Sequence, residues 1–296
     1  MTQTRTAFIA IVGCPNVGKS SILNRLLGQK VAVVSPKPQT TRTKIMGVLT
    51  EDEVQLVFTD TPGFHRPRTK LGEKMIKAVS DSISGVDACL FVVEPSGELR
   101  DAEKDLLKKF KDEKMPVILA INKIDSVKQK ELLIERMAQF SALYDFEAIV
   151  PCSALKGDGF GDLKDELFKQ AQPSPHFFPD DTLTDQPERV LAAEIIREKL
   201  LNLLDDEVPH GVAVCIERMH EREDSNITDI DATIYCERES HKGIIIGKKG
   251  EMLKKVSTKA REDMERFFMC KINLHCWVKV KEGWRNREGL IHNFLS

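Results

Sequence analysis

The chain has 296 residues, 41% of them hydrophobic and 30% charged. That balance excludes wholesale disorder, and 17 glycines with 13 prolines exclude collagen-like or low-complexity sequence. With 44 Lys/Arg against 46 Asp/Glu the net charge is −2. A wholly basic nucleic-acid-binding protein is excluded, while a local basic patch is not.

Seven cysteines (Cys14, Cys89, Cys152, Cys215, Cys236, Cys270 and Cys276) are scattered, with no CxxC pair. Neither a disulfide framework nor a structural zinc site is expected, and buried thiols in a reducing compartment are. Met1 to Thr6 is polar, so no signal peptide is expected, and the apolar runs have strand length rather than the roughly 18 residues of a membrane span.

Along the first half, short apolar runs alternate with amphipathic segments. Strands are predicted at Phe8–Val12, Gln55–Thr59, Ala88–Val93, Val117–Ile121 and Ala148–Pro151. Helices are predicted at Lys19–Leu27, Leu71–Ser84, Asp101–Lys111, Val127–Ala142 and Gly161–Gln170. Alternation of this kind builds βαβ units, hence an α/β doubly wound sheet.

After the first strand comes Gly13-Cys14-Pro15-Asn16-Val17-Gly18-Lys19-Ser20, which fits GxxxxGK[ST]. Glycines let the backbone wrap phosphates, and the following helix N-terminus adds partial positive charge. Lys19 is expected to reach the β/γ-phosphates and Ser20 to ligate Mg²⁺, with Ser21 beside it. By itself the loop announces a nucleoside triphosphate, and ATPases, small-molecule kinases and GTPases all share it.

Asp60-Thr61-Pro62-Gly63 follows the second predicted strand. A carboxylate there faces the phosphates and holds Mg²⁺ through water, and the Gly63 N–H approaches a γ-phosphate. Asn122-Lys123-Ile124-Asp125 follows a later strand. The Asp125 carboxylate accepts two hydrogen bonds, which guanine supplies through N1–H and its exocyclic amine and adenine does not. Asn122 is expected to bind the base edge and the phosphate loop, with the Lys123 stem along the base face. In Ser153-Ala154-Leu155 the Ala154 N–H is expected to meet guanine O6.

Residues 172–187, QPSPHFFPDDTLTDQP, hold four prolines in 16 residues and are expected to be a linker. His176, Phe177 and Phe178 are candidates to pack on a neighbouring domain. The domain expectation is therefore a nucleotide-binding domain at 1–171, a linker at 172–187 and a second domain at 188–296. The second domain begins with a helix at Val190–Leu204. Strands at Val212–Met219 and Ile227–Glu237, a short helix at Ser240–Ile246, a long helix at Glu251–Phe268 and a strand at Lys271–Val280 complete an α+β order.

Between its short and long helices lies Gly247-Lys248-Lys249-Gly250, preceded by Lys242 and an apolar run ending at Ile246. Glycines admit a nucleic-acid strand to the backbone, and the lysines neutralise phosphates. From Arg238 to Arg287 there are 14 Lys/Arg against 6 Asp/Glu, a basic island in an otherwise acidic chain. Trp277 and Trp284 are assigned to packing rather than to base stacking.

GKS, DTPG, NKID and SAL in this order, each after a strand, resemble the translation-factor-related GTPases. GxPNVGKS and Gln39-Thr40-Thr41-Arg42 narrow the resemblance to the Era/TrmE-like branch. The resemblance implies that a switch threonine ligates Mg²⁺ in the GTP state, with Thr41 the expected residue and Thr40 its rival. It further implies that Asn16 supports a K⁺ ion near the β/γ-phosphates. Phe64 stands where Ras-like proteins have a water-orienting glutamine, so slow intrinsic hydrolysis is expected. Lys19, Asn16, Thr41 and Gly63 are the residues expected to carry it.

The GxxG loop with its flanking helices resembles a type II KH domain, and the pairing of the two halves resembles the Era family. That family implies a GTP/GDP switch binding 16S-type ribosomal RNA near its 3′ end and acting in small (30S) subunit maturation. It also implies a cytoplasmic location with peripheral attachment to the inner membrane, and monomer is the default state. GTP is expected to order residues 39–43 and 60–67, with the linker letting the KH half reorient. TrmE-like RNA-modifying GTPases carry a C-terminal cysteine motif, and Gly289 to Ser296 holds none.

Overall fold

The computed structural model describes residues 3–35, 37, 40–42, 44–64, 69–205, 207–223 and 225–295. The chain divides into two compact units, Met1–Val34 with Thr41–Pro67 and Gly72–Asp185, and Ser35–Thr40 with Arg68–Leu71 and Gln186–Ser296.

In the first unit β1 (Arg5–Val12), β2 (Ile45–Glu51), β3 (Val54–Asp60), β4 (Ala88–Val93), β5 (Val117–Ile121) and β6 (Ala148–Pro151) lie in the order β2-β3-β1-β4-β5-β6. The β3-β1-β4-β5-β6 ladder is parallel throughout, and β2 pairs antiparallel with β3. Helices α1 (Lys19–Leu27), α2 (Lys70–Ile83), α3 (Asp101–Glu113), α4 (Lys130–Ser141) and α5 (Phe160–Lys169) form between the strands.

Sequence periodicity did not predict β2. Glu51 pairs with Val54 across a two-residue turn in which Asp52 takes φ +50°. A short aspartate-containing turn of this kind suits a tight hairpin. Burial in β2 is confined to Ile45, Gly47 and Val48, so no period-2 alternation marks the strand.

Every residue of β4 and β5 is buried, as befits central parallel strands covered on both faces. Phe91 packs edge-to-face on Phe110 and Phe140, with ring centres 5.5 and 5.9 Å apart. Burial pushes the Cys89 and Cys152 thiols up to about 12, so both sit in the core as unionised thiols.

At the edge of that core Arg136 and Glu103 form an ion pair at 3.2 Å, their side chains 3% and 1% exposed. The Arg136 guanidinium also donates to the carbonyls of Glu94 and Gly97 and lies over the Phe140 ring. Each charge is thereby satisfied without water.

Residues 172–185 are bonded along the first unit. A two-residue strand β7 (Gln172–Pro173) pairs with β1. The buried Gln55 amide donates to Phe178 O at 2.9 Å and accepts from the N–H groups of Phe177 and Phe178 at 2.8 and 3.0 Å. Val48 N–H donates to Leu183 O, and the Thr184 hydroxyl donates to Met46 O. The Phe177 ring meets Phe8 edge-on.

The second unit contains α6 (Glu188–Leu203), β8 (Ala213–Glu221), β9 (Ile227–Cys236), α7 (Glu239–Ile246), α8 (Glu251–Phe268), β10 (Lys271–Val280) and α9 (Glu288–Leu295). Its sheet runs β10-β9-β8, with β8 antiparallel and β10 parallel to β9. Parallel strands need a crossover, and α7 and α8 provide it. Their apolar residues Ile245, Val256, Ala260 and Met264 share a core with Ile196 and Leu200 of α6 and with Ile230 and Ile234 of β9.

Helix α9 was also not predicted. Ile291 is buried, Phe294 stacks on Tyr235 at 4.6 Å, and the buried Trp284 indole donates to Gly211 O at 2.9 Å. At eight residues α9 is too short to hold together without that packing.

Replacing Arg136 by methionine strands the Glu103 carboxylate in the core. Urea unfolding is expected to show a loss of about 3–5 kcal/mol. The double variant with Glu103→Gln should lose much less than the two single losses added together.

Candidate nucleotide site and basic loop

Parallel pairing aligns the strand ends. Asp60 stands opposite Ile11, and Val93 opposite Ile121. The loops after β1, β3, β4, β5 and β6 therefore emerge at one edge of the sheet, the ligand crevice of such folds.

Two loop glycines are required by close approach. Gly13 has φ +149°, and a Cβ there would fall 2.3 Å from Val92 O. Gly18 has φ +99°, and its Cβ would fall 2.2 Å from Asn122 Nδ2. Pro15 is half-buried, Asn16 is exposed with φ +64°, and Val17 is buried. Gly63 lies against this loop with no room to spare, since a Cβ would sit 2.7 Å from Pro15 Cα. The Phe64 N–H donates to Gly13 O at 3.1 Å, and its half-buried ring packs against the core.

The Lys19 ammonium donates to the carbonyls of Gly13 and Cys14 at 3.2 and 3.1 Å. Burial lowers its pKa, opposed by the nearby Asp60 charge. Asp60 is itself fully buried. Burial raises its pKa, against the pull of Lys19, Ser20 and Thr41. Ser20 donates to Asp60 Oδ2 at 2.6 Å, Thr41 donates to the same oxygen at 3.3 Å, and the two hydroxyls lie 3.0 Å apart.

Asp60 Oδ1 is buried with no hydrogen-bond partner. One carboxylate with an unmet oxygen and two hydroxyls make an all-oxygen donor set, which suits a hard divalent cation. Thr40 is absent from this cluster, and its hydroxyl donates to Lys37 O at 2.7 Å. Gln39 and Thr43 lie outside the described residues, as do residues 65–67. Ser21 is half-buried in α1.

Asn122 is 2% exposed and joins two loops. Its amide donates to Val17 O at 2.9 Å and accepts from Ala154 N–H at 3.0 Å. The Ala154 N–H, expected to face guanine O6, is thus committed to Asn122. The Ser153 hydroxyl donates to Asp125 Oδ1, orienting that carboxylate, and Leu155 is 75% exposed.

Lys123 takes φ +67°, and its ammonium donates to Asn16 O and to Glu94 Oε1, the latter at 2.8 Å. The other Glu94 oxygen accepts from Arg100. Burial would raise Glu94, yet Lys123 and Arg100 outweigh it and hold the carboxyl below its usual range. Sequence reasoning missed Glu94 and Arg100. The available signal was position, because Glu94 is the first residue after β4 at the crevice edge.

In the second unit the basic loop follows α7. Gly247 takes φ +73°, and a Cβ there would meet Met252 Cβ at 2.7 Å. Gly250, at φ +81°, is the N-cap of α8. Lys248 and Lys249 are exposed between them, while Lys242 and Ile246 are half-buried on α7. Two glycines therefore hold a turn that presents two ammonium groups to solvent.

The GxxxxGKS loop, the NKID loop and Thr41 beside Asp60, gathered at the carboxyl edge of a parallel sheet, fit a P-loop GTPase, here followed by a GxxG domain. The family model described as "50S ribosome-binding GTPase" matches residues 8–123, and that of the KH domain matches residues 207–285. GTPase Era of Clostridioides difficile is 49% identical over 98% of both chains, and that of Ruminiclostridium cellulolyticum is 50% identical over 97% of this chain and 96% of its own. The chain belongs to the Era family of GTPases. A crystal structure of an Aquifex aeolicus Era variant bound to GDP and AlF₄⁻ superposes with a TM-score of 0.94 at 37% identity, covering 98% and 99% of the two chains. One of Era with MgGDPNP and nucleotides 1506–1542 of 16S ribosomal RNA gives 0.92 at 38% identity, covering 98% of each.

Asp125→Asn replaces an acceptor pair by one acceptor and one donor. GTP affinity is expected to fall about 100-fold or more, because guanine then meets a mismatched donor. Xanthosine triphosphate, which offers N1–H beside a carbonyl, should gain. Competition titrations with a fluorescent guanine nucleotide check both directions.

Proposed function

We propose that the chain is a GTP-hydrolysing switch that binds small-subunit ribosomal RNA near its 3′ end through the KH domain and acts in 30S subunit assembly. The observation that carries this reading is the pairing, in one chain, of the Asp60–Ser20–Thr41 cluster with the glycine-held Lys248–Lys249 turn. The family model covering residues 8–123 is described by the large subunit, but it covers only part of the first unit. The relative with 16S RNA is similar over nearly the whole chain, so we favour the small subunit.

Ser20, Thr41 and Asp60 are the residues that would hold Mg²⁺. Magnesium, when bound, offsets charge between the β- and γ-phosphates. Gly13 to Ser21 wrap the phosphates, Lys19 exchanges its carbonyl partners for β/γ oxygens, and the Gly63 N–H meets the γ-phosphate. Asp125, oriented by Ser153, selects guanine, with Asn122 and Lys123 at the base and Ala154 and Leu155 beside it. Thr41 leaves Asp60 or returns to it according to whether a γ-phosphate is present, and that exchange is the switch.

Phe64 has no group to orient water. We assign the compensating positive charge to K⁺ held near the exposed Asn16. Gly247, Lys248, Lys249 and Gly250, with Lys242 and Ile246 behind them, clamp the RNA backbone. The protein acts as a monomer in the cytoplasm. Among the described residues no helix is long and apolar enough to cross a membrane, so attachment to the inner membrane is peripheral and rests on family resemblance.

Two measurements test this reading. Lys248→Glu/Lys249→Glu should abolish binding to an RNA of the 16S 3′-terminal sequence and leave GTP affinity within about twofold, since only phosphate contacts are lost. RNA affinity should also differ between GTP- and GDP-analogue complexes, and equal values would remove the switch. Separately, GTP turnover should be faster in potassium than in sodium buffer; equal rates would remove the Asn16 assignment.

A further inference from the structure

The two tryptophans, both assigned to packing from sequence, separate in the structure. Trp284 is fully buried, whereas Trp277 is 49% exposed. Strand alternation explains the difference. Along β10, Ile272, Leu274, Cys276, Val278 and Val280 face α7, α8 and the core, so the odd-numbered residues stand on the opposite face of the sheet. There Trp277 and His275 are neighbours, ring centres 6.1 Å apart and inclined by 45°. Exposed lysines, Lys271 and Lys279, stand at the two ends of the row.

The carboxylates beside this row are already engaged. Asp231 pairs with His275 Nδ1 at 3.3 Å, and Asp229 accepts from Arg222 and from the Asn273 amide at 2.7 Å each. From Lys271 to Lys281 the chain has no acidic residue. Phe294 of α9 covers the Tyr235 end of the same face. What is left is an aromatic pair between cations, with Asp229 and Asp231 each hydrogen-bonded to a neighbour.

We infer that this face of β10 is a second RNA contact, on which unpaired bases stack over Trp277 and His275 while Lys271 and Lys279 meet the flanking phosphates. The inference rests on the RNA-binding reading above. Charge complementarity favours RNA over an apolar protein surface, and stacking on sheet aromatics is an established way to hold unpaired bases. Continuity favours it too. β10 is the edge strand of its sheet, and α7 and α8, which bracket the GxxG turn, pack against its other face. A strand leaving the turn reaches the aromatic face by rounding one open edge.

The test uses the full-length chain and a 5′-fluorescein RNA of the sequence 1506–1542 of 16S ribosomal RNA. Unlabelled RNA should quench the exposed tryptophan emission, and the quenching should vanish in Trp277→Phe. Trp277→Ala should weaken binding about tenfold, the loss expected of one base stack. Trp277→Phe should retain wild-type affinity within about twofold, because an aromatic face remains. Lys279→Glu, a surface change that does not disturb the core, should also weaken binding. GTP affinity should be unchanged in all three.

Wild-type affinity in both Trp277→Ala and Lys279→Glu, with binding still lost in Lys248→Glu/Lys249→Glu, overturns the platform and leaves the GxxG reading intact. If the wild-type chain binds no RNA, both readings fall. If Trp277→Ala alters sedimentation of the free protein but not RNA affinity, the face is a contact between copies and the inference is wrong.

Discussion

The nucleotide site depends on one buried amide. Asn122 holds Val17 O with its nitrogen and the Ala154 N–H with its oxygen. Three loops from separate strands thereby keep a common geometry before any ligand arrives. A buried amide with neither partner would be heavily penalised, so the arrangement is close to all-or-none. Gly18 shows how close the packing is, since even a methyl group there would strike the Asn122 nitrogen. The loops carrying Val17, Asn122 and Ala154 are thus tied at one point.

Beside those joined loops two opposite charges are buried together. Lys19 and Asp60 are both buried, and burial works against the charged form of each. Each now leans on the other and on local carbonyl or hydroxyl partners. On the proposed reading a triphosphate with its cation would offer both a better match, and binding would relieve a cost already present in the fold. Glu94 holds the Lys123 ammonium at the end of β4.

How much of this was legible in the sequence follows from physics. Motifs that follow fully buried parallel strands were readable, because β1, β4 and β5 appear as unbroken apolar runs and every loop at their carboxyl ends could be placed. The GxxG turn was readable because its glycines adopt positive φ and its lysines must face water. Strand β2 was not, since this edge strand buries only Ile45, Gly47 and Val48 and shows no period-2 alternation. Helix α9 was not, since its stability comes from Phe294 packing on Tyr235 and Trp284 and from the burial of Ile291 rather than from helix propensity over eight residues. Glu94 and Arg100 fall in no motif and are joined to the site only by the fold. The fates of Trp277 and Trp284 hinge on strand parity and a distant carbonyl, neither visible in composition.

The Gln55 side chain has a practical meaning for dividing the chain. All four of its hydrogen-bonding positions are filled, by Thr50, by Phe177 N–H and by both backbone groups of Phe178. A nucleotide-binding fragment ending at 171 would leave that amide buried beneath nothing and uncover the Phe8 ring. A fragment carried through Asp185 keeps both satisfied. The proline-rich stretch that looks dispensable on paper is the seam that finishes the first unit, and a scissors mark belongs after it.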